Sequence, residues 1–382
     1  MIDAETLNAL PDPLRSRLSS RGFDPEQLLS WAARVGEGDA RNRLTGEVAR
    51  VPETMLERLP ADAQERAAAR VRGERALADG EVAICVLAGG MATRMGGVVK
   101  SLLAVHGEHT FLDLRLAERA AIAETHGVAP PLWLMTSEPT DQPITEALEA
   151  RGLAADPEVA TFEQLVSLRL TPDGDLFTDD GGPSVYATGH GDLPDALKRS
   201  GLLAAFVARG GRYVWISNID NLGARVDAAI LGQHILDDRA LTVDVVDKAP
   251  GDKGGGPVLH DGQPIIAEHF RLPSGFDADA VPVFNTNTFL VDAERLLELQ
   301  MDWTYVEVQK KVGSGAGERT AVQFERLLGE ITVAIRPSFQ HVGRDTTGQA
   351  AARSRFLPVK THEDLEAAKP AIAAIARSLG LA

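Results

Sequence analysis

EVAICVLAGGMATRMGGVVK, residues 81–100, opens with six apolar residues, Val82–Leu87, and breaks almost at once into glycine. A continuous apolar run this short is the pattern of a parallel strand buried on both faces. Gly89 and Gly90 follow, then Thr93, Arg94, Gly96, Gly97 and Lys100. A strand that ends in glycines leaves bare backbone N–H groups at its carboxyl end, where no side chain keeps a phosphate away. Arg94 and Lys100 add fixed positive charge for phosphate oxygens. Two other glycine loops are excluded. The dinucleotide fingerprint needs G-x-G-x-x-G, which Gly89-Gly90-Met91-Ala92 does not supply, and a P-loop needs Gly where Val99 precedes Lys100-Ser101. A phosphate loop and a plain glycine turn with surface cations both remain open on these residues alone.

Around this stretch the chain is ordinary for a globular protein, with 382 residues, 44% hydrophobic and 25% charged. Its net charge of −16 argues against a nucleic-acid surface. An anionic ligand must therefore be held by local cations and backbone dipoles against the overall field. The lone cysteine, Cys85, allows no intrachain disulfide. The start, MIDAETLNAL, shows no signal peptide, and no run of about 18 apolar residues predicts a membrane span. These features together lead us to expect a cytoplasmic protein without nucleic-acid or membrane partners.

Residues 1–80 read as a polar helical extension. Asp24-Pro25 marks a capped start, Leu28, Trp31, Ala32 and Val35 recur at helical spacing, and Ala61–Ala78 is rich in Ala, Glu and Arg. From Glu81 to Ala382 the pattern is strand, loop, helix, repeated. Strands are expected at Pro131–Met135, Tyr213–Ile216 and Leu241–Val246, and helices at Gln142–Arg151, Leu202–Ala208 and Val226–Leu236. Such alternation predicts an α/β fold with a mainly parallel sheet between helices, and ligands beyond the carboxyl ends of its strands. After residue 250 shorter, Gly/Pro-rich strands suggest an inserted mixed or antiparallel section.

A second stretch, Tyr186–Val226, carries further chemistry. Gly189-His190-Gly191-Asp192 is a tight turn able to bring backbone against a ring or a phosphate, although a histidine in such a turn is commonly a surface residue. The strand from Tyr213 runs into Asn218-Ile219-Asp220-Asn221, where alternation turns Asn218 and Asp220 the same way. A strand-end carboxylate beside a phosphate loop can hold Mg²⁺, or it can cap the next helix.

In order, the segments LAGGMATRMG, VKSLLAV, TFLDL, GHGD, SGLL, SNIDNLGARVD, DKGGG, FNTNTF, QFERLLG and RSRFLPVKTHEDL resemble the eukaryotic-type UTP–glucose-1-phosphate uridylyltransferase family, over roughly residues 81–369. The resemblance implies a Rossmann-like, GT-A-like nucleotidyltransferase domain over 81–382 with a central mixed, mainly parallel sheet. It implies a backbone cradle of Leu87, Ala88, Gly89 and Gly90 around the nucleotide, uracil reading by Gln164, and a uracil contact at Gly189. It places His190, Asn218, Gly255, Glu268 and Asn287 on the sugar and its phosphate, Asp220 on Mg²⁺, and Arg94, Lys100 and Lys360 on the reacting phosphates. A surface lysine before a helix capped by Thr361 is the plainer reading of Lys360. The implied substrates are UTP and glucose 1-phosphate, with galactose or N-acetylhexosamine 1-phosphate as sugar alternatives and a non-catalytic UDP-sugar-binding protein as the alternative of another class. Three departures stand out. The Gly96–Lys100 loop is one residue shorter than the family's and lacks its proline. Arg94 replaces a serine common in the eukaryotic glucose enzymes. The chain stops soon after Lys360, with no room for the family's C-terminal β-helix, so a monomer or a different dimer is expected.

Overall fold

The computed structural model describes residues 1–179, 182–249, 252, 254–313, 317–344 and 353–381, without the side chains of Asp39 and Thr93; Lys253 of the expected sugar turn lies outside them. Its centre is an eight-stranded sheet. In chain order the strands are β1 (Leu56–Glu57), β2 (Val82–Leu87), β3 (Leu132–Thr136), β4 (Val159–Glu163), β5 (Tyr213–Asn218), β6 (Leu241–Asp247), β7 (Val283–Asp292) and β8 (Pro337–His341). Their spatial order is β1-β8-β6-β7-β5-β2-β3-β4. All neighbours are parallel except β7, which runs antiparallel to both β5 and β6.

Every residue of β2 is buried, and from Ala83 on the pleat divides them between two cores, while Val82 joins a third with Leu77 and Tyr213. Ala83, Cys85 and Leu87 join the core that contains Leu193, Leu197 and Phe206; Ile84 and Val86 join the one that contains Phe111, Leu112 and Ile372. Helices therefore cover both faces, which is why β2 reads as an unbroken apolar run. Burial also pushes the Cys85 thiol well above its ordinary range, so it stays a neutral core side chain. Among the described residues no helix is long and apolar enough to cross a membrane.

Two expectations change. Residues 1–80 are not all helical: Val48–Arg50 pairs with Gly256–His260, and β1 pairs with β8. Strands of two and three residues are too short for alternation to show in sequence. After residue 250 the section is not uniformly short-stranded either, since β7 has ten residues and crosses the main sheet. Two antiparallel hairpins, Gly256–His260 with Gln263–Ala267 and Val306–Val312 with Arg319–Glu325, flank it.

The alanine-rich helix Ala63–Ala78 crosses Ala228–Leu236 at backbone contact. A Cβ on Gly232 would sit 1.6 Å from the Ala69 carbonyl oxygen, and one on Gly73 1.8 Å from that of Ala228. No rotamer relieves a clash with backbone, so Gly232→Ala should cost about 1–3 kcal/mol or more through overpacking. Chemical denaturation checks this; an unchanged midpoint would mean that the helices can separate without loss.

Candidate functional site

At the carboxyl ends of β2, β3 and β5 two cavities adjoin, of about 590 and 680 Å³. Leu87, Gly89, Gly90, Lys100, Gln164 and Gly189 line the first; Arg94, Gly255, Glu268, Asn287 and Lys360 line the second. His190, Asn218 and Asp220 line both. Fourteen of the fifteen expected residues thus converge on one continuous cleft. Ala88 does not. It is fully buried and its N–H donates to the Met135 carbonyl at 2.8 Å, because the β2–β3 pairing continues one residue past Leu87.

The loop geometry follows from local chemistry. Gly96 and Gly97 have φ of 93° and 73°, which lets Met91–Ala92 fold back against Val98–Val99. The fold-back brings the Lys100 amide onto the Gly90 carbonyl and its Nζ 2.7 Å from Asp220 Oδ2. A Cβ on Gly89 would meet Gln164 Oε1 at 2.6 Å, so a side chain there would push the Gln164 amide from its place. The Gly89 carbonyl accepts from Ser137 Oγ, while Gln164 Nε2 donates to the Gly189 carbonyl at 2.8 Å. That bond commits the amide nitrogen of Gln164 and leaves Oε1 as an acceptor beside the cavity.

Asp220 sits in the turn after β5, 8% exposed. It caps no helix; Asp227 is the N-cap of Ala228–Leu236. Among the described residues its carboxylate has Lys100 as its partner, and no group of three or more His, Cys, Asp or Glu is placed to hold a metal. A single carboxylate between two cavities suits Mg²⁺, which takes one or two protein oxygens and completes its shell with substrate phosphates and water.

In the second cavity Asn287, at φ 58°, turns its Nδ2 onto Asn218 Oδ1 at 2.9 Å. The left-handed backbone is one that asparagine tolerates. Burial raises the Glu268 carboxyl, against the opposing pull of the Gly255 amide and Arg271. His190 Nδ1 accepts from the Leu328 amide at 3.0 Å, and burial lowers its pKa. The ring is therefore neutral near pH 7 with its proton on Nε2. Thr361 caps the helix His362–Ser378 in a capping box with Asp364, as the plainer reading of Lys360 expects, and the exposed Lys360 also lines the second cavity.

Several contributors carry no sequence signal. Arg115, 2% exposed, donates to the carbonyls of Asn218, Asn221 and Ala224 and pairs with Glu118. It therefore clamps both ends of the turn that carries Asp220. Arg344 pairs with Asp252 at the second cavity, beside the rings of Phe284 and Phe356, which meet edge to face. The Val306–Val312/Arg319–Glu325 hairpin supplies Lys310, Gln323 and Glu325 to the first cavity. The TFLDLR stretch contains Arg115, but nothing in its spacing tells a buried clamp from a surface cation.

A mixed α/β sheet with glycines, cations and one acidic strand-end turn around a divided cleft is the architecture in which ligands bind beyond the carboxyl ends of the strands. Residues 47–376 match the family described as UTP–glucose-1-phosphate uridylyltransferase, and the chain belongs to that family. A Saccharomyces cerevisiae relative, UTP–glucose-1-phosphate uridylyltransferase, is 33% identical over 300 residues, 75% of this chain and 58% of its own length. The chain thus spans somewhat over half of that curated relative. The fold is shared with UDP-glucose phosphorylase from Trypanosoma brucei, with a TM-score of 0.73, 21% identity, and 92% and 76% of the two chains covered. It is shared also with a mutant of Leishmania major UDP-glucose pyrophosphorylase in complex with UDP-glucose, with a TM-score of 0.67, 23% identity, and 89% and 73% covered.

Proposed function

We propose that this protein transfers uridylyl from UTP to glucose 1-phosphate, giving UDP-glucose and pyrophosphate. The supporting observation is the two-part cleft whose halves share His190, Asn218 and Asp220. An oxygen of the sugar 1-phosphate attacks the α-phosphorus of UTP. The new P–O bond forms as the bond to the bridging α–β oxygen breaks, and pyrophosphate leaves with that electron pair. A phosphate monoester is largely ionised at neutral pH, with a second pKa near ~6, so the nucleophile needs no base. The protein's task is to align two anions and offset their charge.

The roles proposed are those the family resemblance implies, for residues that line the two cavities. The amides of Gly89 and Gly90 cradle phosphate, and Gln164 Oε1 accepts the N3–H of uracil, a hydrogen that cytosine lacks. His190 Nε2–H donates to the sugar phosphate, and Asn218, Glu268 and Asn287 take sugar hydroxyls. Lys100, Lys360 and Arg94 surround the reacting phosphates. Asp220 would hold Mg²⁺, which would supply charge neutralisation between the two substrates.

Pyrophosphate release from a panel of nucleotides and sugar 1-phosphates tests this reading. UTP with glucose 1-phosphate should be the best pair, and CTP should fall by about 10² or more in kcat/KM because the Gln164 acceptor would be left unpaired. Preference for N-acetylglucosamine or galactose 1-phosphate would overturn the sugar assignment. No release with any pair, despite UDP-glucose binding, would favour a binding protein.

A further inference from the structure

Arg326 lies outside the cleft, yet it meets the Thr188–Asp192 turn through both its side chain and its backbone. Its guanidinium is 4% exposed and donates through Nε to Asp192 Oδ1 at 2.9 Å and through Nη1 to Asp195 Oδ2 at 2.6 Å. The faces of Trp303 and Tyr305 hold it from the other side, at 5.2 and 5.5 Å. Its backbone N–H donates to the Thr188 carbonyl at 2.7 Å, and its carbonyl accepts from the Gly191 amide at 3.0 Å. Thr188 Oγ1 in turn donates to Asp192, closing a ring of contacts under the turn.

This frame fixes what the turn presents. Gly189 has φ 101°, and a Cβ there would lie 2.5 Å from the Arg326 carbonyl oxygen; a Cβ on Gly191 would lie 2.6 Å from its carbonyl carbon. The turn is therefore seated directly on the Arg326 backbone. Two residues on, the Leu328 amide donates to His190 and sets its tautomer. On the opposite side, the Gly189 carbonyl receives Gln164 Nε2 and so orients the uracil-reading amide. Burial drives the Asp192 carboxyl up, with Asp195 adding to it, to about 7 even with Arg326 and Thr188 opposing. Without the guanidinium, the buried carboxyl under the turn would either take up a proton or stand charged with no cation.

We propose that Arg326 is the positioning residue of the nucleotide subsite: by bridging Asp192 and Asp195 it holds the Thr188–Asp192 turn in the shape that presents Gly189 and, through it, Gln164 to the nucleotide. The inference rests on the uridylyltransferase reading and adds to it a residue that never touches substrate. Of the groups assigned to the reacting phosphates, Arg94, Lys100, Asp220 and Lys360 stand on other segments, and His190 alone shares the turn. Loss of Arg326 should therefore weaken nucleotide binding more than the chemical step.

The test uses the full chain with Arg326→Met, Arg326→Lys and Asp192→Asn/Arg326→Met. UMP binding is followed by calorimetry, melting by circular dichroism, and the UTP KM and kcat by pyrophosphate release. Arg326→Met should raise the UMP Kd and the UTP KM by about tenfold or more and change kcat by no more than about threefold. Arg326→Lys, with a point charge in place of a fork, should fall between Met and wild type. The double variant removes the uncompensated carboxylate, so its melting temperature should recover while UMP affinity stays weak. Recovery of affinity together with stability would overturn the proposal, because Arg326 would then only balance charge. A kcat loss at unchanged KM would also overturn it, as would UMP binding within about twofold of wild type in folded Arg326→Met. If Arg326→Met does not fold, the lysine and double variants decide. A wild-type protein that binds neither UMP nor UTP would remove the uridylyltransferase reading itself, and this inference with it.

Discussion

Asp220→Asn is expected to lower turnover by about 10³ while leaving the fold intact, since charge stabilisation of this kind contributes several kcal/mol to a phosphoryl-transfer transition state. The substitution keeps the shape of the side chain and removes its charge. Two functions would fail together. The proposed Mg²⁺ would lose its anionic protein ligand, and Lys100, whose Nζ lies 2.7 Å from Asp220 Oδ2, would lose the charged partner that fixes it at the junction of the cavities. The stability change should be small, because both side chains sit at the cleft, 15% and 11% exposed, and the freed ammonium can turn to water. Lys100→Met separates the two contributions. It spares the metal oxygen, so it should reduce turnover while leaving the Mg²⁺ requirement unchanged. An Asp220→Asn protein within about tenfold of wild-type turnover at saturating Mg²⁺ would remove both assignments.

What could be read in advance was what local sequence expresses. Val82–Leu87 declared a doubly buried strand because every side chain on both pleats is apolar, and the glycines after it declared the cleft edge. Asp24, Thr361 and the helix Leu202–Ala208 were legible because caps and helical spacing are properties of adjacent residues. The frame behind the site was not. Arg326 meets Asp192 across 134 positions, and Arg115 reaches the Asn218 carbonyl across 103. A buried arginine and a surface arginine have the same local surroundings in sequence, and only the packed sheet tells them apart. Ala88 failed for the opposite reason. It belongs to the same short segment as Leu87 and Gly89, but its amide is spent on β3, a strand whose register the segment itself does not encode.

Arg115→Leu should destabilise the protein by about 3–5 kcal/mol, the usual cost of breaking one side of a buried ion pair. Arg115 and Glu118 are 2% and 5% exposed, and Glu118 Oε1 is also the acceptor for the Val226 amide. Leucine fills much of the volume but takes the cation from Glu118, and it removes one donor each from the carbonyls of Asn218, Asn221 and Ala224. The Asn218 and Asn221 carbonyls keep the amides of Asn221 and Ala224, so the desolvation cost of about 1–3 kcal/mol for an unpaired carbonyl falls on Ala224. Adding Glu118→Gln should recover only part of the loss, because the missing donors are not replaced. The effect should reach the site as well. Those carbonyls bracket Asp220 between β5 and the following helix, so the folded fraction of Arg115→Leu should also bind Mg²⁺ with UTP more weakly, in contrast to Gly232→Ala, which strains a crossing away from the cleft. Urea denaturation with and without UTP and Mg²⁺ reads both effects. A midpoint shift worth less than ~1 kcal/mol would mean that Arg115 is not the clamp its contacts describe.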